Sequence, residues 1–153
     1  MVDVAGKAVT ERVALARSRV LLSPQAAQAI RDNALKKGDC LQVARLAAIQ
    51  ATKWTSHLIP LCHAIPIESV SVESFWIGES VLEWQVAVKS TGKTGVEMEA
   101  ITAASIAAVT VYDMCKGIDP AITLSDICLL QKTGGSKGEF IRNETDHART
   151  SAP

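Results

Sequence analysis

An α+β fold is predicted for this chain, with strands and helices in the split order β-α-β-β-α-β and an antiparallel sheet covered by helices on one face. Three observations carry that expectation. Strand-like patterning recurs in separated stretches, the first helical segment carries two start signals, and the longest helical run falls between the last two strands.

Residues 7–22 (KAVTERVALARSRVLL) mix Val9, Val13, Leu15 and Val20 with charges in imperfect alternation, and read as the first strand. Ser23-Pro24 pairs an N-cap residue with proline at the first helical position, starting a helix that should reach about Ala34 before Lys36-Lys37-Gly38 breaks it. Asp39 caps a second helix from Cys40 to about Lys53, with Leu41, Ala44, Ala48 and Ile49 on one side. Two prolines in residues 58–66 forbid a long helix there, and an ordered loop is expected. Ile67–Trp76 and Val81–Val88 alternate around the turn at residues 77–80, as a hairpin does.

Thr91–Gly95 reads as a glycine-bounded loop, and residues 96–116 form a long alanine-rich helix stopped by Gly117 and Asp119-Pro120. A last strand over 121–131 runs into the Lys132–Gly138 loop. The expected organisation is one catalytic domain over 1–142, with 143–153 as a flexible tail. A sheet covered on one face leaves the other to pack against something, so an oligomer is expected.

The chain has 153 residues, enough for one domain and one core. Hydrophobic residues make up 48% but aromatics only 4%, so the core is expected to rest on Ala, Val, Ile and Leu. Sixteen basic and sixteen acidic residues cancel, which argues against general nucleic-acid or membrane-surface binding. Any anion site must therefore be a local cluster. Cys40, Cys62, Cys115 and Cys128 show no CxxC spacing, and the opening residues have no apolar region of a leader. Reduced thiols in a cytoplasmic protein are expected.

Four stretches carry candidate chemistry. Leu61-Cys62-His63 lies in the proline-bracketed loop and reads as a metal half-site, a nucleophile with its base, or a packed core histidine. Adjacent side chains usually diverge, which weakens the second reading, and only His57 lies near enough in sequence to help the first. Lys93-Thr94-Gly95-Val96-Glu97-Met98-Glu99 places a glycine before a helix N-terminus, where free N–H groups bind anions. The upstream glycine of a P-loop is missing, and Glu97 and Glu99 are equally read as first-turn acids that suit the helix dipole.

Tyr112-Asp113-Met114-Cys115-Lys116 closes the same helix, and Asp113 and Lys116 are spaced to share a face, as a local ion pair also would be. Glu99 and Asp113 lie within roughly 40° around the helix but about 21 Å apart along it. One small substrate cannot touch both ends of one helix, so a second subunit or a long substrate must connect them. Lys36-Lys37-Gly38 and Lys132–Gly138 combine glycines with lysines, as phosphate loops and ordinary solvated turns both do.

LIPLCH (58–63), KTGVEMEA (93–100), TVYDMCK (110–116) and KTGGSKG (132–138), with MVDV at the start and KKGD (36–39), resemble in order the signature blocks of the cyclic pyranopterin monophosphate synthase family of molybdenum-cofactor biosynthesis. The resemblance covers residues 1 to about 141. It implies a ferredoxin-like fold, a homohexamer built as three dimers with sites at dimer interfaces, and a lyase-type rearrangement. The implied substrate is a cyclised dihydroguanosine triphosphate, and the implied products are a pyranopterin with a cyclic phosphate and diphosphate.

By matching position, Leu61, Cys62 and His63 resemble one substrate-binding segment and Met98 and Glu99 another, with Glu97 beside them. Asp113 matches the residue regarded as the catalytic acid, and Lys37, Lys116 and Lys132 match lysines around the triphosphate and ring. We expect His63, Glu99 and Lys116 to position substrate and handle protons, with Lys37 and Lys132 facing phosphates or Lys37 carrying protons. The resemblance implies no resident cofactor or metal; Mg²⁺ accompanying the triphosphate is compatible with it.

The sequence departs from the family at three places. Ala64 replaces the usual proline, GGSKG stands where GGKSG is common, and the Thr-His element that usually precedes MVDV is not present. The alternative function is a non-catalytic nucleotide- or pterin-binding module of the same fold.

Overall fold

In the computed structural model, which describes residues 1–136 and 138–143, the N-terminal strand occupies the middle of the sheet. The strands are β1 (Thr10–Leu21), β2 (Ser69–Ile77), β3 (Val81–Gly92), β4 (Thr123–Thr133) and β5 (Phe140–Ile141), ordered β2-β3-β1-β4-β5 with every neighbouring pair antiparallel. The helices are α1 (Pro24–Arg31), α2 (Cys40–Leu58) and α3 (Glu97–Cys115). Apart from the short edge strand β5, this is the split β-α-β-β-α-β arrangement with the first helical segment in two pieces.

Alternation along the strands decides which face is covered. Ala14, Ala16, Ser18 and Val20 of β1 stand opposite Val88, Val86, Trp84 and Leu82 of β3, and all eight are buried. The β1 members are small, which lets α3 approach the sheet closely, and the Ser18 hydroxyl donates to the Ala104 carbonyl at 2.6 Å. The helices repeat the device. Ala44, Ala48 and Ala51 of α2 face the alanine-lined α3, whose Ala100, Ala103, Ala104, Ala107 and Ala108 are buried. Two alanine faces allow axes near the short end of the usual 8–10 Å separation. By length and apolarity α3 could cross a membrane, and here it fills the core instead. The thiols of Cys40 and Cys115 meet at the end of this helix pair, and all four cysteines are free.

The far face of the sheet mixes charged side chains with apolar ones such as Leu15, Leu21, Phe75 and Ile77. Arg19 of β1 spans two strands, donating to Glu83 on β3 and to Asp126 on β4, both at 2.8 Å. Asp126 sits at a register shift of β4 with φ of 48°, so the ion pair helps hold a backbone conformation that costs an L-residue energy.

Element boundaries differ from the sequence expectations for identifiable reasons. α1 stops at Arg31 because Asn33 adopts φ of 50°, with its N–H on Ile30 O and that of Ala34 on Ala29 O. That is a Schellman closure with asparagine in the glycine position. α2 runs five residues beyond Lys53, since nothing disfavours helix until the residue before Pro60. β3 and β4 each extend past their expected ends, so Lys132 and Thr133 belong to a strand and the glycine loop starts at Gly134. β5 was not expected: at two residues it is too short for alternation to signal. The expected tail lies outside the described residues beyond Asn143, as does Lys137.

Candidate active site

The two ends of α3 gather the candidate residues into two clusters. At its N-terminus Val96 occupies the cap position with no side-chain acceptor. The start of β1, the end of β3 and the end of β4 meet there, because Thr10 pairs with Gly92 and Val13 with Thr133. A polar cleft of about 190 Å³ opens between them, lined by Lys7, Arg12, Lys93, Thr94, Gly95, Glu97, Lys132 and Gly134 among others. A second cleft of about 430 Å³, lined by Leu61, Cys62, His63, Ile65 and Met98, shares Thr94, Gly95 and Glu97 with the first. An anion-suited compartment and a flatter, more apolar one thus adjoin across one loop.

The Lys132 ammonium donates to Glu97 Oε1 at 2.8 Å. Burial alone would raise the Glu97 carboxyl. The hydrogen bonds from Lys132 and its own N–H, with the charges of Lys132 and Arg12, outweigh burial and hold it below the usual range. Arg12 also donates to Gly92 O at 3.3 Å. Its guanidinium lies against Gly135, where a Cβ would fall 1.7 Å from Nη1. Gly134 at φ of 91° and Gly135 at 80° both take torsions that favour glycine, and a Cβ on Gly134 would also run into the Glu11 carbonyl oxygen.

Glu99 is only 2% exposed. Cys62 makes a long contact to its Oε1, with sulfur 3.9 Å away, and Oε2 has no hydrogen-bond partner. Burial, reinforced by the Glu97 charge, pushes the Glu99 carboxyl up. Burial likewise raises the Cys62 thiol, with Glu99 adding to it, so that sulfur favours the neutral thiol over a nucleophilic thiolate. His63 lines the second cleft beside it. His57 instead packs at a tilt against Trp54, with ring centroids 5.0 Å apart and 56° between the planes. Among the described residues no three His, Cys, Asp or Glu side chains come together to hold a metal.

A pH-dependent stability follows for Glu99. Its folded value exceeds its unfolded one, so between the two the folded state binds more protons and stability falls as pH rises through that window. Above the window a buried anion must be kept. Glu99→Gln is therefore expected to raise the thermal midpoint by ~2–4 °C at pH 8 and by less at pH 5. Equal shifts at both pH values in a thermal melt would count against a buried charge as the cause.

At the C-terminal end of α3 the candidates converge on one carboxylate. Lys37 donates to Asp113 Oδ2 at 2.6 Å and to its backbone O at 2.9 Å, while Lys116 pairs with Oδ1 at 2.7 Å. The two lysine hydrogen bonds push the Asp113 carboxyl down to about 2, and Asp113 in turn raises Lys116. Lys37 reaches across because Gly38, at φ of 95°, turns the chain into Asp39, whose carboxylate caps α2 through Gln42 N–H at 3.0 Å.

All the candidates therefore fall into two groups, Leu61, Cys62, His63, Glu97, Met98, Glu99 and Lys132 at one end of α3 and Lys37, Asp113 and Lys116 at the other. The chain does not bring the groups together. Lys7 and Arg12 were missed and Lys93 was not singled out within its block. The topology gives the available signal, since the start of a central strand must lie beside the ends of both its antiparallel neighbours.

Paired polar and apolar clefts at a helix N-terminus, with an ionised carboxylate–lysine cluster at its other end, suit the binding of a small polar ligand. Residues 1–135 match the MoaC family, and the chain belongs to that family. It is 51% identical over 158 residues to the cyclic pyranopterin monophosphate synthase of Rhodopirellula baltica, covering 97% of this chain and 90% of that protein. The protein of the same name from Heliobacterium modesticaldum is 52% identical over 146 residues, covering 94% and 91%. Molybdenum cofactor biosynthesis protein 1 of Mus musculus is 51% identical over 144 residues, covering 93% of this chain but 22% of the longer mouse protein.

Proposed function

We propose that this chain is a lyase-type enzyme of molybdenum-cofactor biosynthesis. It converts cyclised dihydroguanosine triphosphate to cyclic pyranopterin monophosphate with release of diphosphate. The observation that supports this reading best is the adjoining pair of clefts. One is lined by Lys7, Arg12, Lys93 and Lys132 and suits a polyphosphate; the other, with Leu61, Cys62, His63 and Met98, suits a ring.

The chemistry follows from those groups. Cyclisation requires a substrate oxygen to attack the first phosphorus while its bond to the diphosphate breaks, and the cationic cleft neutralises the leaving charge. Ring opening and reclosure require proton transfers. Lys116, kept protonated by Asp113, supplies a fixed positive charge and a hydrogen-bond donor to the substrate; Asp113, ionised throughout the neutral range, fixes both lysines rather than giving up a proton itself. Glu99 and His63 orient the ring. The reaction uses no resident cofactor in this scheme, and Mg²⁺ enters as the counter-ion of the triphosphate.

The site is completed between subunits of a cytoplasmic homohexamer assembled as three dimers. Two features support assembly: the roughly 21 Å between the clusters along α3, and an exposed apolar stripe on α2. Val43, Leu46, Trp54 and Leu58 there are 39, 66, 51 and 54% exposed and fall within about 120° of the helix surface. Incubation with the cyclised triphosphate should yield diphosphate and pyranopterin in equal amounts. Formation of neither product would sink the enzyme assignment and leave a binding module.

A further inference from the structure

One group in the polar cleft does not suit an anion. Lys7, Arg12, Lys93 and Lys132 present positive charge, and Glu97 places a carboxylate among them. The carboxylate is engaged with Lys132 at 2.8 Å, and the two side chains are 28 and 27% exposed. The backbone is shaped to receive it. A Cβ on Gly95 would fall 1.9 Å from Glu97 Oε2 and 2.9 Å from Oε1, although Gly95 is not in the left-handed region. Glycine stands there for volume, and the volume it frees holds a carboxylate. Complementing the helix dipole does not require this pose, since a first-turn acid does so from any solvent-facing rotamer.

We propose that Glu97 is a displaceable internal anion, standing on Lys132 in the empty cleft where a phosphate oxygen stands in the occupied one. A phosphate-bearing ligand swings it aside on entry, and its return competes with diphosphate for the same ammonium. This inference rests on the reading of the polar cleft as the phosphate end of the site. It makes Gly95 a positioning residue, acting through the side chain it leaves room for.

Calorimetric titration of the intact protein with sodium pyrophosphate tests it. Glu97→Gln keeps the shape and removes the charge, and should bind pyrophosphate ~10-fold more tightly than the unaltered chain. Gly95→Ala should shift affinity in the same direction, because its methyl group evicts the carboxylate from Lys132. Since only a flexible side-chain end must move, this second variant keeps the test open should Glu97→Gln fold poorly. The double variant should gain nothing beyond Glu97→Gln, and Lys132→Ala should weaken binding. Binding that depends on Lys132 but is unchanged or weakened in Glu97→Gln overturns the displaceable anion alone. Binding indifferent to Lys132, or absent from every variant, overturns the phosphate reading of the cleft and the inference with it.

Discussion

Replacing Asp113 with Asn is expected to lower turnover by ~10³-fold while changing substrate affinity by less than about threefold. Asp113 accepts from two ammonium groups, Lys37 at 2.6 Å and Lys116 at 2.7 Å. An amide of the same shape can accept from one but turns its NH₂ toward the other, so one lysine loses its counter-charge and its place. The fold should persist, because half of the side chain is in solvent and the exposed pairs add little to stability. The deficit should be flat across the neutral range. With its carboxyl pushed down to about 2 from 3.8, Asp113 holds its charge above the ordinary value and loses the pairing only as pH falls toward about 2. Diphosphate release assayed beside direct titration of substrate checks the split. Parallel loss of binding and turnover would assign Asp113 a binding or structural role.

Mixing two inactive variants should restore activity. His63→Ala disables the cleft end of α3 and Asp113→Asn the other end. If each site draws one cluster from each of two subunits, a mixed dimer contains one site with both clusters intact and one with neither. Random reassembly of equal amounts makes half the dimers mixed, so recovery should approach roughly a quarter of normal turnover. Each variant alone should stay ~10²–10³-fold down. Recovery requires subunit exchange, verified by mass spectrometry of differently tagged chains. Exchange without recovered turnover would mean that each chain builds its own site.

Much of this arrangement was legible in the residues. The strand alternation, the caps at Ser23 and Asp39 and the stop at Gly117 are local signals, and the elements they mark are present. The separation of Glu99 from Asp113 follows from helical rise alone. The unread parts depend on tertiary context. The stop at Asn33 rests on a left-handed torsion that asparagine tolerates without announcing. The extra turns of α2 rest on residues that are neutral toward helix until proline intervenes. Lys7 and Arg12 have no motif of their own and acquire meaning only when sheet order puts them beside Gly95 and Lys132. Lys37 meeting Asp113 is likewise a matter of how the α1–α2 loop folds over the end of α3. A cysteine nucleophile, readable as one option in Cys62-His63, loses weight once the half-buried thiol is seen against Glu99, which raises it toward the neutral form.

The placement of β1 bears on the order in which the chain can fold during synthesis. The central strand is the first to be made, yet Thr10 awaits Gly92 and Leu21 awaits Thr123. Until then its small-residue face has no helix to cover it, and both its hydrogen-bonding edges stay open. Pairings so distant in sequence incur the loop-closure cost before any reward, which slows folding relative to local architectures. A nascent chain halted before Thr123 would expose one edge of β1 to other chains. Emergence of β4, rather than of the first strand, is then the event that lets this sheet close.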